Sequence, residues 1–274
     1  MFGHEIIRGE RLSVRFGAVT ALDSVSFAVA GGEVAALVGD NGSGKSTLVK
    51  LCAGAYRPSD GHLYVDGKRV ELDSPRDAVR LGIATIYQDL ALADNLSVTE
   101  NVFLGCEATV RVCGVPILRK TAMRERVRVL LAGLDAHIPN PDARLAGLSG
   151  GQRQAVAISR ALNLAAQLVI MDEPTAALAV GETRKVLALV RQLRGQGKAV
   201  ILISHNIGEV FQVADRIIVL RRGRKVADIR PEATTPEEII AFITGAHPSL
   251  RAIEQSPPDA PLPATPATER TIAV

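Results

Sequence analysis

Gly39-Asp40-Asn41-Gly42-Ser43-Gly44-Lys45-Ser46-Thr47 is the stretch that decides the fold of this 274-residue chain. It satisfies the pattern G-x-x-x-x-G-K-[ST], follows the continuous apolar run Val34 to Val38, and leads into a helical pattern through Leu48 and Leu51. The glycines let backbone N–H groups curl around phosphate oxygens, and the positive end of the following helix dipole favours an anion. A strand, a glycine-rich loop and a helix in this order predict a nucleotide phosphate site.

The side chains of this loop divide the expected contacts with a nucleotide. Lys45 should reach the β- and γ-phosphates, Ser46 should offer its hydroxyl to Mg²⁺, and Thr47 should contact an α-phosphate oxygen. A glycine-rich turn with a solvated lysine is the simpler alternative, but a chance match over this length is about a 1% event. The remaining loop residues predicted to bind nucleotide are Gly39, Asn41, Gly42, Ser43 and Gly44.

A second apolar run, Leu168 to Met171, ends in the acids Asp172 and Glu173. Open α/β sheets bind ligands at the carboxyl ends of their strands, so both acids are expected at that edge. Asp172 would hold Mg²⁺, and Glu173 would orient and deprotonate the attacking water. The alternative is that the acids only cap the helix whose start Pro174 marks.

A third run, Val200 to Ile203, leads through Ser204 to His205. A single histidine at the end of a strand is more often structural. In combination with a phosphate loop and a pair of acids, His205 becomes a candidate hydrogen-bond partner for the γ-phosphate.

The order of elements predicts an α/β fold with a mostly parallel sheet, because short β-branched runs alternate with longer amphipathic stretches. Arg11 to Val29 alternates apolar and polar residues, which predicts antiparallel edge strands. Between about residues 89 and 148 strand signals vanish, and Met123 to Leu134 has helical spacing, which predicts a mostly helical inserted subdomain. The domain is expected to cover residues 1–250, and residues 251–274 are expected to form a disordered tail, since the sequence from Pro257 is rich in Pro, Ala and Thr.

Composition narrows the class of protein. Lys and Arg number 32 against 29 Asp and Glu, a formal net charge of +3, which gives no case for nucleic-acid binding. Cys52, Cys106 and Cys113 are an odd count without C-x-x-C spacing, which argues against a disulfide framework and a zinc site. No apolar run approaches the ~18 to 20 residues that cross a bilayer, so a cytosolic chain is expected and another polypeptide would have to supply any membrane span.

Leu148-Ser149-Gly150-Gly151-Gln152 adds a second anion site on a different helix, with Ser149 as its N-cap. Taken alone, the pentapeptide could be only a helix start. With the loop, the acids and the histidine in this order and spacing, the chain resembles the ATP-binding subunit of ABC transporters over roughly residues 10 to 246. The resemblance implies a P-loop NTPase core, ATP and Mg²⁺ as ligands, ATP hydrolysis, and an obligate dimer. In that dimer, Ser149, Gly150, Gly151 and Gln152 of one subunit would bind the γ-phosphate held by the partner's loop.

The same resemblance carries over three further positions. Phe16 matches the aromatic residue that stacks on adenine, although it could be an ordinary strand residue. Gln88 matches the glutamine that contacts Mg²⁺ and joins the site to the helical subdomain, and its simpler interpretation is a polar residue at a strand end. Together with Glu173, His205 and Lys45 it completes the expected catalytic set. Ala179 stands where the family usually has an Asp that contacts the opposing subunit, which puts that contact in doubt.

Several stretches resemble the ribose, xylose and fructose type of sugar importer, among them Asn95 to Asn101, Ile203 to Asn206 and Ala241 to Ala246. This branch implies a homodimer, or a paired second ATP-binding subunit, held peripherally at the cytoplasmic face of the inner membrane. Its partners would be an integral membrane permease and, indirectly, a sugar-binding protein, but no nucleic acid. The segment Tyr87 to Leu104 would dock a coupling helix of the permease, or would be a plain solvated loop and helix.

Two other functions stay open at this point. One is a soluble ABC ATPase that acts on ribosomes or DNA, although such proteins usually carry two cassettes or a long insert. The other is a nucleotide-binding module without turnover, against which the intact Glu173 and His205 argue.

Overall fold

The computed structural model describes residues 3–112, 115–176 and 178–250. The expected tail, 251–274, lies outside the described residues. Two main sheets organise the described chain. The smaller sheet has the order β2-β1-β4-β5 and consists of β1 (Glu5–Phe16), β2 (Val19–Ala30), β4 (Asp60–Val65) and β5 (Lys68–Val70). The larger has the order β12-β11-β3-β10-β9-β6 and consists of β3 (Val34–Val38), β6 (Ile83–Ile86), β9 (Leu168–Asp172), β10 (Ala199–Ile203), β11 (Arg216–Arg221) and β12 (Arg224–Ile229).

Helices cover both faces of the larger sheet, which explains its continuous apolar strands. Every residue of β3 and β10 is buried, as expected for parallel strands with helices on either side. The strands β11, β3, β10, β9 and β6 pair in parallel, and only β12 is antiparallel to its neighbour. The predicted α/β class with a mostly parallel sheet is confirmed.

The described helices are α1 (Lys45–Cys52), α2 (Pro75–Arg80), α3 (Val98–Phe103), α4 (Lys120–Gly133), α5 (Gly150–Asn163), α6 (Val180–Gly195), α7 (Ile207–Val213) and α8 (Pro236–Thr244).

The predicted antiparallel segment forms β1 and β2, with Gly9 paired to Phe27 and Val14 to Leu22. One part of the prediction is wrong, because β1 is not an edge strand. Its other side pairs with β4, for example Ile7 with Val65. The strand that covers β1 is β4, which lies some fifty residues later in the chain, outside the alternating stretch that predicts β1 and β2.

The region predicted as a mostly helical insert, about residues 89–148, contains α3, α4 and a 3-10 turn at Leu145–Gly147. It also contains a two-stranded antiparallel hairpin, β7 (Thr109–Val112) and β8 (Val115–Leu118), where the sequence analysis expected no strands. Four-residue strands give too few alternations for a periodicity argument, although Thr109, Val110 and Val112 are the β-branched residues that strands favour. Within the described ranges, no helix is long and apolar enough to cross a membrane.

Candidate functional site

Four neighbouring parallel strands end at one edge of the larger sheet, and each delivers a predicted site residue there. β3 leads into the glycine-rich loop and β10 leads to His205. β9 ends at Asp172, with Glu173 directly after it, and β6 leads to Gln88. Because the strand order is β3-β10-β9-β6, the loop, the histidine, the acids and the glutamine follow one another across the sheet. The structure therefore brings the predicted catalytic residues to one edge.

The glycine-rich loop needs glycine at two places because backbone from elsewhere approaches it. Gly39 has φ 152°, and a Cβ there would collide with the carbonyl oxygen of Leu220. Gly44 is the N-cap of α1 with φ 106°, and a Cβ there would lie 2.7 Å from the carbonyl oxygen of Ala21. The close packing fixes the path of the loop before any ligand binds.

Ser43 is the buried residue of the glycine-rich loop. It is 3% exposed, and its Oγ is buried without a hydrogen-bond partner. A buried hydroxyl without a hydrogen-bond partner costs free energy, and a ligand in the loop could reach this one only if the side chain turned outward. Asn41 and Ser46 are exposed at the loop surface, and Thr47 is half-buried.

Lys45 folds back over the loop. Its Nζ donates hydrogen bonds to the carbonyl oxygens of Gly39, at 2.7 Å, and Asp40, at 2.9 Å. Burial lowers the pKa of Lys45, while the nearby negative charges of Glu173, Asp40 and Asp172 oppose that shift. The ammonium group thus stands between the loop and the two acids.

Glu173 and His205 face each other at the end of the sheet. His205 Nδ1 lies 3.3 Å from Glu173 Oε1, and the side chain of His205 is 70% exposed. Glu173 adopts φ 49°, a left-handed backbone that is uncommon outside glycine, and its N–H donates to the carbonyl of Ile203 at 3.0 Å. This backbone conformation was not predicted, because nothing local in the sequence marks it.

Asp172 is half-buried beside these groups. Burial raises the pKa of its carboxyl group, and the charge of Glu173 raises it further, while Lys45 and Lys50 oppose the shift. A buried acid next to a second acid is typical of functional sites. In the described part of the chain, no group of three His, Cys, Asp or Glu residues forms a protein-only metal cage.

Phe16 ends β1 with its ring 46% exposed, which leaves room for a base to stack. The ring of Tyr56 meets it edge-on, with centroids 5.2 Å apart and planes at 69°. Tyr56 was missed by the sequence analysis, because it lies forty residues away in the sequence and belongs to no motif. Gln88, one residue beyond the exposed Tyr87, is itself exposed.

Ser149 is the N-cap of α5, as predicted. Its Oγ accepts the N–H of Gln152 at 3.4 Å, and its own N–H donates to Gln152 Oε1 at 3.0 Å. Ser149 and Gly150 are half-buried, and Gly151 is buried. The Gln152 side chain also donates to the carbonyl of His137 at 3.0 Å, so in the single chain it serves α5 itself.

The segment after Glu173 is tied to α7 by contacts that sequence reasoning missed. Thr175 Oγ1 donates to Glu209 Oε2 at 2.5 Å, and Asn206 Nδ2 donates to the other oxygen of Glu209 at 2.9 Å. A groove of about 600 Å³ opens between this segment, α6 and α7, and both Glu173 and His205 line it. Ala179 is the exposed N-cap of α6 and makes no capping bond with its side chain.

Comparison with known proteins decides the family. The family model described as ABC transporter matches residues 22–176, which include the loop, the Ser149 helix and the two acids. This chain belongs to the ABC transporter family. As an ATP-binding cassette of that family it binds ATP and is an ATPase.

Its relatives are import proteins. The xylose/arabinose import ATP-binding protein XylG of Sulfolobus acidocaldarius is 49% identical over 229 residues, covering 84% of this chain and 90% of the relative. The fructose import ATP-binding protein FrcA of Rhizobium meliloti is 43% identical over 247 residues, covering 88% and 94%. The ribose import ATP-binding protein RbsA 2 of Rhizobium johnstonii is 42% identical over 240 residues, but these are only 46% of that relative, so the ABC chain spans about half its length.

Solved cassettes share the fold. The ADP conformation of an ATP-binding cassette of an ABC transporter superposes with a TM-score of 0.74 at 28% identity, covering 92% of this chain and 98% of that one. A dimeric bacterial ABC transporter cassette gives 0.68 at 25% identity, covering 82% and 99%. The predicted P-loop core with its antiparallel sheet is confirmed, whereas the roles of individual residues stay predictions.

Proposed function

We propose that this chain is the ATP-hydrolysing subunit of an importer for a simple sugar and that it energises a separate membrane permease. The observation that carries the proposal is the match to XylG and FrcA, import ATP-binding proteins of which it covers 90% and 94%. The site at the sheet edge supplies the hydrolytic chemistry, and the relatives supply the class of transported solute.

ATP would be held through its phosphates. The backbone N–H groups of the loop would bind phosphate oxygens, and Ser43 would join them if its buried hydroxyl turned outward. Lys45 would exchange the carbonyls of Gly39 and Asp40 for the β- and γ-phosphates, and the exposed ring of Phe16 would stack on the base. Stacking of this kind accepts several bases.

Mg²⁺ would be bound by Ser46, Gln88 and Asp172, a hydroxyl, an amide and a carboxylate. These are the oxygen ligands that Mg²⁺ prefers, and one carboxylate together with nucleotide phosphates is a common arrangement. The ion would neutralise charge on the phosphates. It would also lower the raised pKa of Asp172 again, because a cation beside a carboxylate favours the ionised form.

Hydrolysis requires a group that orients and deprotonates water, and Glu173 would take that role. His205, at 3.3 Å from Glu173, would hold the γ-phosphate side of the site. The exposed edge of His205 is free for a phosphate contact because only one of its ring nitrogens faces the acid.

A second cassette would complete each site. The start of α5, with the half-buried Ser149 and Gly150 and the buried Gly151, would meet the γ-phosphate bound by the partner's loop. The partner would be a second copy or a paired ATP-binding subunit. Ala179 has no carboxylate for the contact that many relatives of the wider family make, so that interface would depend on other groups.

The permease would dock on the segment Tyr87 to Leu104 and hold the subunit peripherally at the cytoplasmic face of the membrane. Tyr87 is 38% exposed and Leu104 is 50% exposed, which offers apolar surface to a coupling helix. We further propose that residues of about 89–148, including the hairpin, move as a subdomain that passes this contact on to Gln88.

The test is reconstitution of the chain with a candidate permease in proteoliposomes, with ATP hydrolysis measured with and without a sugar-loaded binding protein. We expect the loaded binding protein to stimulate hydrolysis. Glu173→Gln is the matched control, which should assemble and bind ATP but not hydrolyse it. Salt-resistant sedimentation with ribosomes, and no stimulation by any sugar-loaded binding protein, would overturn the proposal in favour of a soluble ABC ATPase.

A further inference from the structure

Glu209, in the first turn of α7, joins the two chain segments that carry Glu173 and His205. One oxygen of its carboxylate, Oε2, accepts the hydroxyl of Thr175 at 2.5 Å, and Thr175 lies two residues after Glu173. The other oxygen, Oε1, accepts a side-chain N–H of Asn206 at 2.9 Å, and Asn206 follows His205 directly. A single carboxylate therefore connects the chain beyond β9 with the chain beyond β10.

The bond between Thr175 and Glu209 is of a strong kind. A hydroxyl that donates to a carboxylate makes a short hydrogen bond, roughly twice as strong as one between neutral groups, and the 2.5 Å separation of the two oxygens fits that description. Both residues are half-buried, so water competes less for these groups than it would at an exposed surface. We therefore expect this contact to hold the two segments in register.

The simpler interpretation is that Glu209 only stabilises the start of α7. Asn206 is the N-cap of this helix, its Oδ1 accepts the N–H of Glu209 at 3.3 Å, and an acid in the first turn suits the helix dipole. The bond from Thr175 goes beyond capping, because Thr175 stands 34 residues earlier in the chain and belongs to another segment. A helix cap requires no such partner.

The same two segments are also joined where the strands end. There the N–H of Glu173 donates to the carbonyl of Ile203 at 3.0 Å. Glu173 and His205 thus stand between two cross-links, this backbone bond and the carboxylate of Glu209. The side chain of His205 is 70% exposed, so its position depends mainly on where its backbone is held.

We propose that Glu209 is a positioning residue that sets the separation of Glu173 and His205 for ATP hydrolysis. The inference rests on the roles proposed above, Glu173 as the group that activates water and His205 as the contact with the γ-phosphate. A displacement of about 1 Å at a reacting group can cost about 100-fold in rate. Glu209 would therefore govern turnover through these two residues without itself touching nucleotide or Mg²⁺.

Two variants that break the cross-link test this inference in the full chain. Glu209→Ala removes both of its hydrogen bonds, and Thr175→Val keeps the shape of the side chain but removes the hydroxyl. Each should lower kcat for ATP hydrolysis about 10-fold or more. The affinity for ADP, which lacks the γ-phosphate, should stay unchanged. Because both variants break the same bond, the double variant should lose hardly more than Glu209→Ala alone.

Conservative variants separate positioning from a loss of stability. Glu209→Gln can accept from Asn206 through its oxygen and donate to the Thr175 hydroxyl through its amide, and Thr175→Ser keeps the hydroxyl, so both should restore most of the turnover. The matched control is Glu237→Ala, which removes an exposed acid from the first turn of α8 and should leave kcat and ADP affinity unchanged. Urea unfolding of every variant measures what each change costs in stability.

The catalytic variants Glu173→Gln and His205→Ala distinguish two kinds of failure. If these two abolish hydrolysis while the variants that break the cross-link keep their kcat, the positioning role is wrong and the proposed site stands. If these two leave hydrolysis unchanged, the roles proposed for Glu173 and His205 fail, and the positioning role fails with them. Failure of both conservative variants to restore turnover, or a loss of ADP affinity as large as the loss of kcat, would also contradict the inference.

Discussion

Asp172 is a site residue whose ionised form is expected to bind Mg²⁺ but also to lower the stability of the folded chain. Its carboxyl group is half-buried and lies beside Glu173, and both influences raise its pKa. A raised pKa means that the ionised acid is less favourable in the folded chain than in the unfolded one. The folded, ligand-free chain therefore carries a charge that Lys45 and Lys50 compensate only in part and that a cation in the site would compensate further.

Asp172→Asn should accordingly raise the thermal midpoint of the nucleotide-free chain at neutral pH while it removes Mg²⁺-dependent hydrolysis. The sign follows from linkage: above the raised pKa the folded chain bears the unfavourable charge, and as the pH falls through that pKa protonation removes it. The advantage of the variant should therefore shrink in acid. Differential scanning calorimetry over a pH series measures this, with the exposed Asp89→Asn as control. A variant less stable than the unchanged chain at neutral pH would contradict the argument.

The identity of the site residues could be predicted from sequence, but two of their conformations could not. Glu173 takes its left-handed backbone from a hydrogen bond to Ile203, thirty residues later. The ammonium group of Lys45 donates hydrogen bonds to the carbonyls of Gly39 and Asp40 within its own loop. The first is a contact between distant parts of the chain, and the second is a local contact within the loop; a motif names the residues but does not encode either conformation.

At the scale of elements, the glycine-rich loop contains glycine for two different reasons, close packing at one position and a left-handed backbone at another. Gly39 must lack a side chain because the carbonyl of Leu220, on β11, occupies the space. Gly42 has φ 77° but no atom within 4 Å of the position that a Cβ would take. The first glycine is required by packing, the second by backbone conformation alone.

The pair Gly39→Ala and Gly42→Ala tests this difference. Gly42→Ala should cost about 1 to 2 kcal/mol of folding free energy, the typical penalty for a left-handed residue. Gly39→Ala should cost more and abolish nucleotide binding, because the loop must move away from β11. Urea unfolding and nucleotide titration of both variants give the comparison, and equal losses at the two positions would show that packing against Leu220 is unimportant.

Some strands could be predicted from the pattern of apolar residues and others could not. The three continuous apolar runs became β3, β9 and β10, because burial on both faces leaves a strong signal. The hairpin β7–β8 was missed, since four-residue strands on the surface leave almost none. The position of β1 inside its sheet depended on a strand far along the chain.

For the whole molecule, the decisive expectation is a dimer that forms around ATP. Glu173→Gln with ATP and Mg²⁺ should sediment as a dimer, because bound nucleotide persists and joins the loop of one chain to α5 of the other. The unchanged chain should return to a monomer as it hydrolyses ATP. Lys45→Ala should stay monomeric throughout, since it lacks the contact with the phosphates. Analytical ultracentrifugation measures all three, and a monomeric Glu173→Gln chain under these conditions would contradict the two-site dimer.

The hydrogen bond from Glu173 to Ile203 has a mechanical consequence. Ile203 ends β10, and His205 stands two residues beyond it, so the acid and the histidine are anchored to the same strand. If the sheet twists or bends while the inserted region swings, both groups travel together and their separation stays constant. A movement of the inserted region would then change how easily water and nucleotide reach Glu173 and His205, while the distance between these two side chains stays the same.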